Sequence, residues 1–455
     1  MNHNTGIPCF DLLCSLASAA IFFGKGLNMR CILSDANVFR NGRIERTNVG
    51  IIDGILNFQN VVPSSGDLVI SCHDYTVFPG FADVHVHFRE PGFSYKETIK
   101  SGTKAAAHGG YTSVCTMPNL IPSPDDLVSL AVQTEIIHKD AVIHVYPYGT
   151  ITRGEKGETL SDLEDMASHV AGFSDDGHGV QNDEMMETAM REARRLNKII
   201  VAHCEDNTLL HGGYIHEGSY AAEHHHKGIC SESEWGQIKR DLELVRKTGC
   251  AYHVCHISTK ESVELIRQAK KEGLDVTCET APHYLLLNDS MLQEEGRFKM
   301  NPPIRAEEDR QALLEGLRDG TIDVIATDHA PHSESEKAGG LKDSLMGVVG
   351  IETAFPLLYT YLVCRGEISL KKLIELLCVN PRNRFGLDCG MEEGKPANIT
   401  VFDLKASYSI EPDDFLSAGR STPFSGWQVL GKCIATISEG KSAYMDPCFA
   451  MEVNG

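Results

Sequence analysis

His85 and His87 stand two residues apart in the run Pro79-Gly80-Phe81-Ala82-Asp83-Val84-His85-Val86-His87-Phe88-Arg89-Glu90-Pro91-Gly92. Thr76 to Val84 is apolar and β-branched enough to form a buried strand, and Pro91-Gly92 stops it. Residues two apart on a strand share a face, so both imidazoles aim at one spot, with Arg89 next on that face. Two converging imidazoles are half of a zinc site. Alone, such a pair is more often a polar strand edge. Here, however, Asp175-Asp176, His203, His256 and Asp328 fall at the expected ends of further strands. Imidazole and carboxylate without thiolate suit Zn²⁺, with Mn²⁺, Co²⁺ and Fe²⁺ as alternatives. An ion with an open position can lower the pKa of bound water to about 7 and polarise a carbonyl. A second ion about 3.5–4 Å away would need a bridging group. Neighbouring strand residues face opposite ways, so Cys204 should point into the wall, and His253 has the wrong parity to join His256.

Those residues need a frame that gathers strand ends. Candidate strands are Phe78–Val84, Tyr111–Thr116, Val142–Tyr148, Val170–Ser174, Lys198–Ala202, Ala251–Cys255, Asp275–Cys278 and Asp323–Ala326. Helical patterns fall between them, at Thr98–His108, Asp183–Leu196, Lys260–Glu272 and Glu308–Arg318, and two more follow at Glu352–Cys364 and Leu370–Leu377. This alternation over about 250 residues predicts an α/β fold, a TIM-like (β/α)₈ barrel with its chemistry at the C-terminal ends of the strands. An open doubly wound sheet would instead carry a Gly-rich turn after its first strand, where this chain has His-x-His-Phe-Arg. Short strands before Tyr75 and after Gly394 are expected to pair as a small β domain built from both termini. The expected division is an extension at 1–28, small-domain segments at 29–78 and 386–455, and the barrel at 79–385.

Composition narrows the function further. The 455 residues carry a net charge of −21, which argues against nucleic acid as a partner. The fifteen cysteines include no C-x-x-C pair, which suits reduced thiols in a cytoplasmic protein. No apolar run reaches the roughly 20 residues needed to cross a bilayer, so no membrane role is expected. Phe10 to Phe23 is apolar, but no Lys or Arg precedes it as a secretory signal requires. Residues 1–28 are therefore expected to be a disordered or non-native extension, with the natural start near Met29. His224-His225-His226 is expected to be a solvated loop.

The stretches Asp83-Val84-His85-Val86-His87-Phe88-Arg89-Glu90-Pro91-Gly92, Met117-Pro118-Asn119, Phe173-Ser174-Asp175-Asp176-Gly177, Ala202-His203-Cys204-Glu205-Asp206, His253-Val254-Cys255-His256-Ile257-Ser258-Thr259-Lys260, Lys299-Met300-Asn301-Pro302-Pro303 and Ala326-Thr327-Asp328-His329-Ala330-Pro331-His332 carry a resemblance. In this order they resemble the metal-dependent amidohydrolase superfamily and, within it, the bacterial type I dihydroorotases. Most metal-bridging members use a carboxylated lysine, yet no lysine lies between Lys156 and Lys198. A carboxylate of the Asp175-Asp176 pair must bridge instead. Parity does not choose between the two; the resemblance points to Asp176. The missing lysine also counts against hydantoinase and allantoinase activity.

The resemblance implies one or two Zn²⁺ ions, one on His85, His87, Asp176 and Asp328 and a second on Asp176, His203 and His256. It implies that Arg89, Asn119 and His332 hold a substrate carboxylate, a role the guanidinium fork suits. Asn301 and the backbone around Met346-Gly347 would contact the ring. The implied reaction is the reversible cyclisation of N-carbamoyl-L-aspartate to L-dihydroorotate in pyrimidine synthesis, with Asp328 as the catalytic proton carrier. The resemblance further implies a homodimer and leaves room for association with aspartate transcarbamoylase. A non-catalytic barrel that only scaffolds that partner would have lost metal ligands, and all the candidates are present here.

Overall fold

The computed structural model describes residues 30–388 and 390–454. The expected extension at 1–28 lies outside the described residues. Strands β1 (Arg30–Arg40), β2 (Arg43–Ile52), β3 (Ile55–Asn57), β4 (Leu68–Ser71) and β5 (Thr76–Pro79) come first. Asn41-Gly42 and Asp53-Gly54 turn β1 into β2 and β2 into β3, with φ of 51°, 75°, 52° and 81°. Positive φ at both central residues matches the right-handed twist of a hairpin, and Asn, Asp and Gly tolerate it best.

Next come β6 (Phe81–Val86), β7 (Tyr111–Thr116), β8 (His144–Pro147) and β9 (Ile199–Ala202). A short pair, β10 (Ile215–His216) and β11 (Gly228–Ile229), precedes β12 (Ala251–Val254), β13 (Val276–Thr280) and β14 (Val324–Ile325). The chain closes with β15 (Ile399–Ser409), β16 (Gln428–Ser438) and β17 (Lys441–Met445).

β6-β7-β8 and β9-β12-β13-β14 are two parallel arcs. Phe173 joins one pair of ends by bridging Gly149 on one side and Ile200 on the other. At the other pair, Val86 bridges His329, and the His87 N–H donates to the His329 carbonyl at 2.8 Å. The result is a ring of parallel staves, the TIM-like barrel of the sequence reading. Its fourth stave is shorter than Val170–Ser174. Just beyond it, Asp175 Oδ1 accepts the Ile151 and Thr152 N–H groups at 2.8 and 3.1 Å, so a carboxylate takes over from the backbone ladder.

The expected strand Phe78–Val84 is two strands. β5 runs in an outer sheet between β1 and β15, while β6 belongs to the barrel. Gly80 is the break: its N–H turns to the Asn398 carbonyl, and the Phe81 N–H turns to Gly110. A Cβ at Gly80 would lie 2.3 Å from Thr112 side-chain atoms, so only glycine fits this crossing. The outer sheet, ordered β17-β16-β15-β5-β1-β2-β3 with β4 beside β1, draws strands from both ends of the chain. Phe78, Phe81, Phe355 and Phe402 seal it against the barrel, with ring centroids 5.1 Å apart for Phe81–Phe355 and 4.4 Å for Phe355–Phe402.

The barrel helices start where side-chain caps stand: Thr98 before Ile99–His108, Asn182 before Asp183–Arg195, and Thr259 before Lys260–Lys271. The helix expected at Glu352–Cys364 is regular only over Ala354–Leu358 and widens into a π turn over Tyr359–Val363. Thr360 Oγ1 donates to the Pro356 carbonyl at 2.6 Å, taking an acceptor that a regular helix gives to a backbone N–H. Leu370–Ile374 widens likewise over Glu375–Val379. Among the described residues no helix is long and apolar enough to cross a membrane.

Candidate active site

The strand ends converge on one carboxylate. Asp176, just past the fourth stave, has Oδ1 3.4 Å from His85 Nε2, 3.6 Å from His256 Nε2 and 3.8 Å from His203 Nδ1. Its Oδ2 lies 3.4 Å from His87 Nε2. Asp328, past β14, places Oδ1 3.2 Å from His87 Nε2 and 3.5 Å from His85 Nε2. Asp175 is buried as well but turns away, bonded to the backbone and hydroxyl of Thr152. Parity left the Asp175-Asp176 choice open, and the geometry turns Asp176 toward the imidazoles.

These groups fit a cation. His85 Nε2 and Asp176 Oδ1 are buried without a hydrogen-bond partner. Leaving such atoms unpaired costs about 1–3 kcal/mol each, a cost that coordination removes. Ligand atoms of His85, Asp176 and His256, and separately of His85, His87 and Asp328, lie within 4.8 Å of one another. His203 stands farther out, its Nδ1 2.9 Å from His256 Nε2.

Burial disfavours charge on both aspartates, but His85 and the other imidazoles hold their pKa values below the ordinary carboxylate range. Both carboxylates therefore stay ionised, the form that ligates and that accepts protons. His256 and Asp328 have left-handed backbones with φ of 31° and 46°, and Arg89 has 59°. Each such residue costs on the order of 1 kcal/mol, so neighbouring bonds must hold it. Asp83 supplies some of these, accepting the His85 N–H at 3.1 Å and the Thr327 N–H at 3.2 Å. It thereby ties β6 to the end of β14.

Glu279, near the end of β13, escaped the sequence reading, which closed that strand at Cys278. Its Oε1 is 2.6 Å from His85 Nδ1 and accepts the His256 N–H at 3.3 Å, while its Oε2 is 3.1 Å from His253 Nε2. A carboxylate only accepts, so His85 Nδ1 carries a proton and Nε2 is the nitrogen turned to the cluster. Burial would raise the Glu279 pKa, but His85 and His253 hold it at about 2. His253 is off the cluster, as its parity requires. Cys204 points outward to Tyr252 Oη at 3.3 Å and Asp241 Oδ2 at 3.8 Å.

The expected substrate contacts line the same rim. Asn119 Oδ1 is 3.0 Å from His87 Nδ1. Arg89 is buried, with Nε donating to the Pro331 carbonyl at 3.3 Å and Nη2 3.4 Å from His332 Nε2. His332 Nε2 is 2.8 Å from the Met346 carbonyl, and the Gly347 N–H donates to Lys299 O at 3.0 Å. Lys337 Nζ donates to the carbonyls of Lys299, Leu345 and Gly347 at 2.7–3.0 Å, fixing this loop. Asn301 gives its Nδ2 to Glu205 Oε1 at 3.0 Å and keeps a buried Oδ1 without a partner. His224 and His225 are exposed, and His226 pairs with Glu294 at 2.9 Å, so this run lies apart from the cluster.

A family model described as Dihydro-orotase-like matches residues 75–262. Relatives named Dihydroorotase include one from Fusobacterium nucleatum, 48% identical over 91% of this chain and 98% of its own. One from Shouchella clausii is 51% identical over 81% and 87% of the two chains. One from Staphylococcus aureus is 46% identical over 90% and 98%. Among solved structures, an L-hydantoinase (dihydropyrimidinase) from Arthrobacter aurescens superposes with a TM-score of 0.81 at 25% identity, covering 91% of this chain and 96% of that one. A dihydropyrimidinase from Brevibacillus agri gives 0.81 at 21% identity over 92% and 96%, a likeness of fold.

Proposed function

This chain belongs to the dihydroorotase family, and we propose that it interconverts N-carbamoyl-L-aspartate and L-dihydroorotate in de novo pyrimidine synthesis. It is a cyclic amide hydrolase of a metal-dependent superfamily. One observation carries the reading: the unpartnered His85 Nε2 and Asp176 Oδ1 face each other at 3.4 Å on the rim that also holds buried Arg89. That rim offers a cation site and an anion receptor together, which suits a cyclic amide bearing a carboxylate. Hydantoin and dihydrouracil have no such carboxylate for Arg89.

Zn²⁺ is the proposed ion: His85, His87, Asp176 and Asp328 would hold one and Asp176, His203 and His256 a second, Asp176 standing where other members use a carboxylated lysine. When bound, it acidifies water and polarises the substrate carbonyl. The chain's own residues do the rest. Arg89, Asn119 and His332 hold the carboxylate, while Asn301 and the Met346-Gly347 backbone hold the ring. In hydrolysis, water adds to the ring carbonyl beside the methylene, the C–N bond breaks, and Asp328 carries the proton from water to the departing nitrogen. In synthesis Asp328 takes that proton from the carbamoyl amine instead. Its depressed pKa supports the ionised form that this step needs.

The protein is further read as a cytoplasmic homodimer able to associate with aspartate transcarbamoylase, which mixing the two on a sizing column tests. The activity is tested by assaying dihydroorotate, hydantoin, allantoin and dihydrouracil on one sample analysed for metal. Turnover of dihydroorotate alone, tracking metal content, is expected. Comparable rates on hydantoin would overturn the reading.

A further inference from the structure

Arg89 can hold a carboxylate only if its outer nitrogens are not already spent on the protein. The nearest competitor is His332, whose Nε2 is 3.4 Å from Arg89 Nη2. If that nitrogen carried the lone pair, it would capture the guanidinium. The other contacts of the ring decide the matter. Lys96 is buried, and its Nζ lies 3.3 Å from His332 Nδ1 and 3.1 Å from Glu336 Oε1. An ammonium has no lone pair, so it can only donate, and Nδ1 must accept. The proton then sits on Nε2, 2.8 Å from the Met346 carbonyl in the free protein, and this same N–H is the donor that His332 offers a substrate carboxylate.

The rival arrangements fail on contacts of this same ring. A proton on Nδ1 alone would point at Lys96 and set the Nε2 lone pair against the carbonyl oxygen of Met346. It would reach Glu336 Oε2 only at 3.5 Å, an oxygen already taking the Ser333 N–H at 3.0 Å. A doubly protonated ring is disfavoured by burial and by the neighbouring Arg89 and Lys96 cations, which push the His332 pKa down to about 3.

Resting on the proposed carboxylate-binding role of Arg89, we propose that Lys96 is a positioning residue that holds His332 as its neutral Nε2–H tautomer and so keeps the outer nitrogens of Arg89 free for the substrate. Among the described residues Arg89 is then anchored through Nε, at the Pro331 carbonyl. Without Lys96 the imidazole can move its proton to Nδ1, accept from Arg89 Nη2, and close the anion receptor. Lys96 touches none of the metal-cluster residues, so its loss should leave metal binding intact.

The test combines tautomer and kinetics in the full-length metal-loaded enzyme. Nitrogen-15 NMR of ring-labelled histidine, with the His332 signals assigned through His332→Gln, should show Nε2 protonated and Nδ1 bare in the wild type. Lys96→Met should shift protonation toward Nδ1 and raise KM for dihydroorotate about tenfold or more, with kcat within about threefold and metal content unchanged. Lys96→Arg, which keeps a donor, should restore both readouts. A wild-type spectrum with Nδ1 protonated overturns the proposal even if no variant folds. So does an unchanged KM in Lys96→Met. Failure of the family reading would look different, because the wild type itself would not turn over dihydroorotate while the tautomer stayed measurable.

Discussion

On the β6 side of the cluster, both imidazoles are gripped from behind: Glu279 lies 2.6 Å from His85 Nδ1, and Asn119 lies 3.0 Å from His87 Nδ1. On the β9 side, His203 Nε2 is 3.7 Å from Glu205 Oε2 and has no hydrogen-bond partner. His203 leans instead on His256 at 2.9 Å. A backing hydrogen bond fixes the tautomer and ring angle of a ligand before any ion arrives, and a charged acceptor makes the imidazole a better donor. The two sides thus differ in preorganisation more than in residue type. Ligands for an ion on the β6 side would already be aimed, whereas on the β9 side His203 would first have to separate from His256. The difference teaches that two sides built from the same residue types can be held in place unequally.

The largest effect is expected at Asp328, the proposed proton carrier, whose Oδ1 lies 3.2 Å from His87 Nε2. Asp328→Ala should lower kcat by about 10³-fold or more, between losing general acid–base catalysis and losing a ligand. Its thermal unfolding should stay close to wild type. Near-wild-type turnover would remove Asp328 from the mechanism. Next comes Glu279→Gln, which replaces the charged acceptor behind His85. It should weaken metal affinity about 10- to 100-fold, read by competition with a chromophoric chelator. Glu205→Gln should cost less than about tenfold in the same assay, because the carboxylate it removes is not bonded to His203. If Glu205→Gln cost more than Glu279→Gln, the contrast between the two sides would be false.

Much of this arrangement was readable along the chain. Strand parity put His85 and His87 on one face, kept His253 off the cluster and turned Cys204 outward, because a two-residue period leaves no freedom. Helix starts at Thr98, Asn182 and Thr259 were legible within a residue or two, since the cap is local. What escaped are pairings across the barrel. His85 and Glu279 are 194 residues apart, and Asp83 meets Thr327 across 244. No spacing along the chain encodes those contacts; the closing ring creates them. The split of one strand at Gly80 was hidden likewise, because the Thr112 side chain that forbids a Cβ there comes from the adjacent stave. The Asp175-Asp176 choice depended on which backbone N–H groups lay within reach, and those belong to Ile151 and Thr152.

The smallest expected effect on metal binding sharpens the comparison most. His253 sits on the far side of Glu279, with Nε2 3.1 Å from Oε2 and Nδ1 2.8 Å from the Thr277 hydroxyl. If Glu279 alone preorganises His85, then His253→Ala removes a buried partner without touching the 2.6 Å contact. Stability should fall by about 1–3 kcal/mol in urea unfolding, the cost of a buried acceptor left without its donor. Chelator competition should change less than for Glu205→Gln. Were His253→Ala to weaken metal affinity as much as Glu279→Gln, the unit that aims His85 would be the whole His253–Glu279 pair, and the advantage of the β6 side would reach back to a residue on β12.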